Sequence, residues 1–412
     1  MKNSPKSKTS DGGTRHSRRS FLQTAGGLIA ATSLGLHQSA AAQSKKPAIP
    51  GFEEGPSSGD VSKDWQPISD RKIRTGLVGY GVCQFAAAFG FQNHPNVEIV
   101  AVSDLLPDRC AGLAKETGCS KTYPSLEELV KDDRIEAVFL ATDAPHHAQH
   151  ALLCLAHGKH VATAVPAVFG SVEDAHKVFE AVKKSGLKYM MFETSSFHDD
   201  CYAMRHIYNA GGLGKLLYSE GEYYHYMPQP IDSYLGWRVG LPPQFYPTHS
   251  NAYYVCVTGQ SFTEVSCVGM PSILEHLQPA NNPYKNHFGT EIALFRTSEG
   301  GTSRMAVSWD TPGEESEAGR IRGQRGIYYC KYEGLEKQLP NTKKPPLPPG
   351  VKPGGHGGSH GYLTAEFVEA ILQDRQPLVD VAMAMNLTVS GIIAHHSALK
   401  GGEWLKIPQF KL

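Results

Sequence analysis

Between residues 73 and 192 the chain alternates short apolar runs with segments of helical periodicity. Buried strands are predicted at 73–78, 97–103, 137–141, 160–163 and 188–192, because each run is largely apolar and is bounded by polar or glycine-containing turns. Helices are predicted at 83–92, 107–117, 146–157 and 171–185, and a capping box at 125–128 begins another. This alternation predicts a parallel, doubly wound sheet whose ligand lies at the carboxyl ends of the strands.

After about residue 199 the pattern changes to long strands. One helix is predicted at 199–210, and strands follow at 216–226, 262–269, 290–296, 303–310 and 326–332. Alternation in the first of these strands puts Tyr223 and His225 on one face and Glu220, Glu222 and Tyr224 on the other. A Pro- and Gly-rich loop at 343–361 and helices at 362–373 and 382–399 follow. The pattern predicts an α+β domain with an open-faced, mostly antiparallel sheet.

The chain of 412 residues is long enough for two domains of ordinary size. The fold class is therefore predicted as α/β, with an N-terminal Rossmann domain at 71–195 and a C-terminal substrate and oligomerisation domain at 196–412. Residues 43–70, rich in Pro, Gly, Ser and Lys, are predicted to form a linker or extended arm.

The N-terminus, residues 1–42, has the parts of a twin-arginine signal peptide in the right order. A basic stretch ends at Arg18 and Arg19, a weakly apolar run follows at 22–36, and alanines at 40–42 form a small-residue cleavage site. The run is shorter than the ~20 residues of a membrane-spanning helix, so no stable membrane anchor is expected. The sequence predicts export through the twin-arginine machinery to the periplasm or beyond, with a mature chain that begins near Gln43. A disordered basic tail is the alternative.

Composition limits the possible partners. Lys plus Arg and Asp plus Glu both number 40, so a nucleic-acid partner is not expected, since phosphate binding needs a basic excess. The eight cysteines are scattered without a close pair, which is typical of small core residues rather than of a disulfide framework or a zinc site. No metal site is expected.

A glycine turn follows the first predicted strand, and its backbone amides are suited to a pyrophosphate. Gln84 stands in the place of the usual third glycine, but Asp104 ends the second strand, where a carboxylate binds the adenosine ribose. NAD is favoured because Asp104 would repel a 2′-phosphate, although nearby Arg109 leaves NADP open. A plain sheet turn with a capping aspartate is the alternative. The turn residues predicted to bind the cofactor are Gly79, Tyr80, Gly81, Val82 and Cys83.

Over residues 70–400 the chain resembles the Gfo/Idh/MocA family, which includes glucose-fructose oxidoreductase and inositol dehydrogenase. The matching segments are 76–81, 145–151 and 158–161, the last leading to Pro166. The resemblance implies a Rossmann domain followed by an open-faced sheet domain, and a cofactor site that includes Thr142, His147 and Pro166. It also implies a homo-oligomer, because the exposed sheet face often forms a dimer or tetramer interface in this family. One departure is serious: Val165 replaces a lysine that commonly relays the proton of the oxidised hydroxyl.

Within that family the chain looks most like exported NAD-dependent glycoside hydrolases, such as α-N-acetylgalactosaminidases. The matches lie at 221–225, 237–238, 246–249 and 355–358, while Ala164, Phe197 and His360 stand where that branch tends to keep Glu, Tyr and Asp. The resemblance implies a redox-neutral cycle. Carbon 3 of the sugar is oxidised, the acidified proton at carbon 2 is lost with expulsion of the carbon 1 substituent, water adds, and carbon 3 is reduced again.

Such a cycle needs two bases and a proton donor, and histidine titrates near 6.5 and can fill each role. The first candidates are His249 and Tyr246, three residues apart in a Pro-turned loop. The second are His356 and His360, in a glycine-rich loop that could cover the sugar and exclude water. The alternatives are a structural role for His249 and solvent-exposed loop positions for the other two histidines.

Four further residues are candidate substrate contacts: His225, Trp237, Arg238 and Glu193. Trp237 and Arg238 suit stacking on a sugar face and binding its hydroxyls, or equally a contact at the domain edge. Glu193 follows a strand and either replaces a missing carboxylate or caps a helix, and His225 could lie at the surface.

The leading hypothesis is an exported, redox-neutral enzyme that cleaves a glycoside with tightly held NAD. The alternative is a periplasmic oxidoreductase that passes hydride from one sugar to another. A third hypothesis, from another class, is a sugar-binding relic that lost catalysis with its lysine.

Overall fold

The computed structural model describes residues 62–412. The predicted signal peptide and most of the predicted arm lie outside the described residues. Within the described part, no helix combines the length and the apolar character that crossing a membrane requires. All eight cysteines lie in this part as free thiols, and they are buried except at Cys83 and Cys330.

The first sheet is parallel and has six strands. They are β1 (Ile73–Val78), β2 (Val97–Ser103), β3 (Thr122–Tyr123), β4 (Ala137–Leu140), β5 (His160–Thr163) and β6 (Tyr189–Met191). Their order in the sheet is β3-β2-β1-β4-β5-β6. The order reverses between β1 and β4, and in doubly wound sheets the ligand crevice opens at that point.

Helices cover both faces of the parallel sheet. Those of the first half are α1 (Phe85–Ala88), α2 (Pro107–Thr117), α3 (Leu126–Leu129), α4 (His147–Ala156), α5 (Val172–Ser185) and α6 (Asp199–Asn209). Later in the chain come α7 (Thr248–Thr258), the short turn α8 (Gly355–Gly358), α9 (His360–Leu372) and α10 (Val381–Leu399). Side chains of α9 join those of α1 and α2 in one apolar cluster on this sheet, so a C-terminal helix covers the cofactor half.

The second sheet has eight strands. They are β7 (Leu216–Tyr224), β8 (Phe262–Pro271), β9 (Phe288–Thr297), β10 (Thr302–Ser308), β11 (Ser316–Gly323), β12 (Gly326–Tyr329), β13 (Lys331–Gly334) and β14 (Leu405–Lys406). All neighbouring pairs are antiparallel except β7 with β10. The predicted fold class, a doubly wound parallel sheet plus a mostly antiparallel sheet, is confirmed.

The two faces of this second sheet differ. Helices α7 and α10 pack on the inner face, whereas Leu217, Val268 and Leu294 are exposed on strands of the outer face. The alternation predicted for β7 is present, since Tyr223 packs against His249 on the inner side. His225 is also buried, so the alternative of a surface histidine is wrong.

Several elements differ from the prediction. Strand β11 was not predicted, and the strand predicted at 326–332 is divided into β12 and β13. The helix predicted at 83–92 is reduced to α1, because the chain adopts positive φ at Gln84 (53°) and again at Gly90 (77°). The predicted loop at 343–361 ends earlier, in the turn α8 and the start of α9 at His360. Helix α7 was missed altogether. Every one of its residues is buried, so it lacks the polar face that reveals a surface helix.

Helix α7 approaches β7 closely at Gly221. A Cβ added at Gly221 would lie 2.0 Å from the carbonyl oxygen of Ser250 and 2.7 Å from Met305 Sδ. Backbone atoms cannot withdraw as a flexible side chain can, so this glycine sets the distance between α7 and the sheet.

We expect Gly221→Ala to lower the free energy of unfolding by roughly 1–3 kcal/mol, the range of overpacked cores. Denaturant unfolding measures it. The matched control is Glu222→Ala, at the next position on the opposite face, which should change stability by less than about 0.5 kcal/mol. Equal effects of the two substitutions would contradict the close approach.

Candidate functional site

A cavity of about 380 Å³ lies at the carboxyl ends of the parallel strands. It opens beside the point where the strand order reverses. Its lining includes the ends of β1, β2 and β4 and a segment from the second half of the chain, and among the lining residues are Gly79, Gly81, Asp104, Thr142 and Leu235.

The glycine turn at the floor of this cavity is shaped by two different requirements. Gly79 has φ 96°, and a Cβ there would lie 2.4 Å from the carbonyl oxygen of Ala141. A Cβ at Gly81 would meet nothing within 4 Å, so this second glycine leaves open space in the cavity. The Asp104 carboxylate accepts backbone N–H bonds from Tyr80 (2.6 Å) and Leu106 (2.8 Å). The turn and the carboxylate are therefore one preformed unit.

The residues present fit a dinucleotide. The backbone of the turn at 79–83 faces the cavity at Gly81, where a side chain would take the space of a pyrophosphate. Ser103 lines the same cavity, and its buried hydroxyl makes no hydrogen bond within residues 62–412. Arg109 also lines it but lies 3.8 Å from Asp232, so its charge is partly balanced.

Two predicted cofactor residues lie behind the cavity wall and support the segments that line it. His147 and Pro166 are buried, and the His147 ring lies between the carbonyl oxygens of Pro166 (2.7 Å from Nδ1) and Thr142 (2.9 Å from Nε2). The ring thus ties the end of β4 to the segment after β5. Thr142 itself lines the cavity. The side chain of Tyr80 packs toward Gly112 of α2, with 3.0 Å between a ring carbon and a Cβ placed there.

A smaller cavity of about 50 Å³ continues from the first one toward the second half of the chain. Val82, Cys83 and Val165 line one side, and Arg238 and Tyr246 line the other. Ligand pockets usually hold about 300–1,000 Å³. This cavity is therefore smaller than a usual ligand pocket, and the segment 232–238 covers it.

Trp237 and Arg238 form part of this cover. The Trp237 indole donates to Asp143 Oδ1 (3.1 Å) and packs edge-on against Phe169. The Arg238 guanidinium lies 4.2 Å from the centre of the Trp237 ring. The ring face predicted to stack on a sugar is thus covered by Arg238, and the contact ties the second half of the chain to the cofactor half. Burial raises the pKa of the Cys83 thiol, and Arg238 opposes that shift.

His249 is the second residue of α7, and a carboxylate from the other half of the chain reaches it. His249 Nδ1 lies 2.8 Å from Oε1 of Glu193, which is fully buried after β6. Burial favours the neutral imidazole, but Glu193 and Glu317 outweigh it and raise the pKa of His249 to about 9. At neutral pH the ring is therefore cationic and can donate a proton, whereas the sequence predicted a base in a loop.

Glu193 caps a helical turn, which is one of the two roles that the sequence left open. Its Oε1 also accepts the backbone N–H of Ser195 (2.9 Å), so it caps the short helical turn that follows β6. Burial alone would raise the pKa of Glu193, but His249 lowers it overall. The side chain is fully buried, so it has no exposed atom with which to contact a substrate directly.

Glu317 is a site residue that the sequence did not reveal. Its Oε2 lies 3.8 Å from His249 Nδ1 and 3.5 Å from His198 Nε2, and it accepts the Ser195 hydroxyl (3.1 Å). It lies on β11, in an acidic stretch without hydrophobic alternation, so nothing in the local pattern indicates its partners. A second carboxylate of the same stretch, Glu315, lies 3.1 Å from His225 Nδ1.

Tyr246 and Tyr223 pack around His249 without a hydrogen bond to it. The Tyr246 and His249 ring centroids are 5.7 Å apart, and Tyr223 lies edge-on to His249 at 4.7 Å. Burial raises the pKa of both phenols above their ordinary value. Both hydroxyls therefore stay protonated and can donate hydrogen bonds.

His356 and His360 are directly hydrogen bonded, with 2.8 Å between His356 Nδ1 and His360 Nε2. His360 is buried, and burial lowers its pKa to about 4. Burial, together with His360 and His249, also lowers the pKa of His356. The alternative of exposed loop histidines is wrong for His360, and His356 is half-buried. Among residues 62–412, no three His, Cys, Asp or Glu side chains are arranged so that they could hold a metal ion.

The His249 and His356 rings lie close together in a stacked orientation, with 6.4 Å between centroids. His356 also lies 5.7 Å from the ring of Phe85, which lines the smaller cavity. The site thus brings together an imidazolium and a neutral imidazole beside the cofactor turn.

Comparison with known proteins agrees with this geometry. Residues 73–193 match the sequence profile described as "Oxidoreductase family, NAD-binding Rossmann fold", GFO_IDH_MocA. This segment is a Gfo/Idh/MocA-family NAD-binding domain. The predicted resemblance is confirmed, and so are NAD as the cofactor and the assignment as an NAD-dependent oxidoreductase-fold enzyme.

Relatives extend the likeness beyond this domain. A "Glycosyl hydrolase family 109 protein" of Streptomyces filamentosus is 24% identical over 96% of this chain and 90% of its own length. A family 109 protein of Bacteroides thetaiotaomicron is 30% identical, but over 37% of this chain and 34% of its own. The solved structure of levoglucosan dehydrogenase with NADH and levoglucosan covers 82% of this chain and all of its own, at 18% identity and a TM-score of 0.67. It shares the fold.

The two glycines of the turn give a test of the cofactor cavity. Gly81 has an ordinary backbone and open space at its Cβ position, so we expect Gly81→Ala to leave the melting temperature of the NAD-free protein unchanged. The added methyl should weaken NAD binding at least about tenfold, or about 1.4 kcal/mol. Calorimetry measures both. Unchanged affinity would place the pyrophosphate elsewhere.

The raised pKa of His249 predicts how stability depends on pH. The pKa of His249 is about 9 in the folded protein, and its ordinary value is 6.5. The charged ring therefore stabilises the folded state fully below about pH 6.5, and this stabilisation is lost as the pH rises through about 9. We expect a loss of roughly 3 kcal/mol over that range. His249→Gln should flatten this dependence in denaturant unfolding. An equally steep slope in the variant would assign it to another group.

Proposed function

We propose that this protein is an exported, redox-neutral enzyme that cleaves a glycoside with NAD held in its crevice. The single observation that carries the proposal is the pair of stacked rings of His249 and His356, 6.4 Å apart, of which only His249 lies against the carboxylate of Glu193. An elimination needs a proton acceptor and a proton donor at the same time, and His356 and His249 supply one of each at neutral pH.

His249 is proposed as the donor to the leaving group. Its Nδ1 lies against Glu193, so the proton available to a substrate is the one on Nε2. Loss of that proton leaves a neutral ring still bonded to Glu193. The carboxylates of Glu193 and Glu317 restore the cation afterwards, because they favour the charged ring.

His356 is proposed as the base that takes the carbon 2 proton. The carbon 2 to hydrogen bond breaks, a carbon 1 to carbon 2 double bond forms, and the carbon 1 to oxygen bond breaks as His249 protonates the leaving oxygen. Water then adds at carbon 1, its proton returns to His249, and His356 returns a proton to carbon 2. Both histidines end as they began.

NAD, when bound, supplies the hydride acceptor and donor for carbon 3 of the sugar. The turn at 79–83 and Asp104 would hold it, with Thr142 and Ser103 along the cavity. Val165 lines the smaller cavity and cannot carry a proton, and Arg238, always protonated, cannot accept one there. Tyr246 keeps its own proton, because burial raises the pKa of its phenol. The neutral ring of His356 is therefore proposed to take the hydroxyl proton of carbon 3, to release it to water before the carbon 2 step, and to return a proton to that oxygen when carbon 3 is reduced.

Three wider assignments belong to the same proposal. Domains divide at about residue 195, and residues 1–42 direct export by the twin-arginine route, which carries folded proteins with their cofactor. A homo-oligomer forms through the outer face of the second sheet, where Leu217, Val268 and Leu294 are exposed. The names of the family 109 relatives support a glycoside as the substrate class.

The test is turnover of a panel of aryl glycosides by the NAD-loaded enzyme in deuterated water. We expect cleavage with deuterium at carbon 2 of the product sugar, as seen by proton NMR, because exchange at that carbon accompanies elimination. Cleavage without the label would contradict the proposal. A lactone together with a polyol would indicate transfer of hydride between two sugars instead.

His249→Gln is the matched variant for this assay. We expect it to lose turnover by at least about 100-fold, the lower end of general acid and base catalysis, while it retains NAD. Parallel loss of turnover and of bound NAD would instead indicate a folding role for His249.

A further inference from the structure

We propose that His360 is a positioning residue that fixes the tautomer of His356, so that Nε2 of His356 carries the lone pair that takes the substrate proton. The inference rests on the proposed function for the role of His356. It depends on a chain of hydrogen bonds that starts at a backbone carbonyl of α1 and ends at the proposed base.

The first step is the contact between His360 and α1. His360 Nδ1 lies 3.2 Å from the carbonyl oxygen of Ala88. A carbonyl oxygen can only accept a hydrogen bond, so the proton of His360 is on Nδ1. His360 is buried and neutral near pH 7, and a neutral imidazole carries one N–H. Its Nε2 therefore carries a lone pair and accepts.

The second step follows from the first. His356 Nδ1 lies 2.8 Å from His360 Nε2. Since His360 Nε2 accepts, His356 Nδ1 must donate, and the proton of His356 is on Nδ1. The neutral His356 ring then carries its lone pair on Nε2, which points away from the hydrogen bond at Nδ1. A carbonyl and two imidazoles in series thus select one of the two tautomers of the base.

The chain is held in place by packing between α1 and α9. The His360 ring lies 4.1 Å from the Phe89 ring, and the Thr364 hydroxyl donates to the carbonyl oxygen of Phe89 (2.7 Å). His356 has backbone φ 49°, and the His198 ring donates from Nε2 to its carbonyl oxygen (3.0 Å). Because α1 follows the cofactor turn directly, the orientation of the base is tied to the turn that holds NAD.

The charged and titratable groups around His356 come from several elements. Burial is the largest cause that lowers the pKa of His356, and four histidines lower it further: His360 of α9, His249 of α7, His198 before α6 and His225 after β7. Among the carboxylates of this region, Glu193 and Glu317 contact His249, and Glu315 contacts His225. The hydrogen bond at Nδ1 of His356 is to the ring of His360.

The tautomer can be observed directly, without turnover. Long-range proton–nitrogen NMR spectra of the NAD-loaded protein with nitrogen-15-labelled histidine distinguish protonated from unprotonated ring nitrogens, and His356→Gln identifies the His356 signals. We expect His356 with a protonated Nδ1 and an unprotonated Nε2 at pH 7. His360→Phe keeps the ring volume beside Phe89 but offers no acceptor, and it should convert His356 to a mixture of tautomers. The opposite tautomer in the wild type, or an unchanged one in His360→Phe, would overturn the proposal.

Kinetics with two further variants separate positioning from folding. His360→Gln places an amide oxygen near the position of Nε2 and should retain kcat within about threefold. His360→Phe should lower kcat at least about tenfold with KM little changed, since general base catalysis contributes about 100- to 10,000-fold. His360→Asp adds a carboxylate and should move the acidic limb of the kcat–pH profile upward, because the carboxylate favours protonated His356.

The outcomes distinguish this inference from the function on which it rests. Equal losses in His360→Gln and His360→Phe, or an unmoved pH profile in His360→Asp, would contradict a positioning role. If no glycoside is cleaved by the wild type, the proposed function fails, while the NMR spectra still decide the tautomer of His356. Melting temperature and bound NAD of each variant confirm that the compared proteins are folded.

Discussion

The buried pair of Glu193 and His249 is the interaction on which the arrangement of the site depends. Glu193 follows the last strand of the parallel sheet, and His249 begins a helix packed on the second sheet, so the pair joins the two halves of the chain. Neither partner is stable alone in such an environment, because an unpaired buried charge is costly. The close contact between the two side chains therefore keeps His249 charged and holds α7 near the cofactor crevice.

A second consequence concerns the neighbouring histidines. A cation at His249 disfavours a second cation nearby, and His356 and His360 lie within an apolar shell that includes Phe85 and Phe89. Burial lowers the pKa of both rings, and repulsion by the neighbouring histidines lowers that of His356 further. His249 and His356 are chemically identical rings in different surroundings. The carboxylates of Glu193 and Glu317 make His249 a proton donor, whereas His356, linked through His360 to the carbonyl oxygen of Ala88, is left as a proton acceptor.

The sequence predicted the parts whose signals are local. The strand, glycine turn and Asp104 follow one another along the chain, and the alternation of β7 was sufficient to place Tyr223 inward. Helix α7 was missed because it is buried on all sides. His249 was therefore predicted to lie in a loop and to act as a base. Glu317 was missed because its partners, His249 and His198, are distant in sequence and only the packing of β11 against α7 brings them together.

The replacement of the family lysine by Val165 fits this division of charge. A lysine at that position would add a cation beside Arg238 in a cavity of about 50 Å³, and the repulsion would weaken the charged form of His249. With Val165 the nearest cation is a guanidinium that does not exchange its proton near neutrality. Proton transfer in the proposed cycle then depends on His249 and His356, which differ in charge because Glu193 and Glu317 raise the pKa of His249 alone. The proposed cycle therefore proceeds without the lysine.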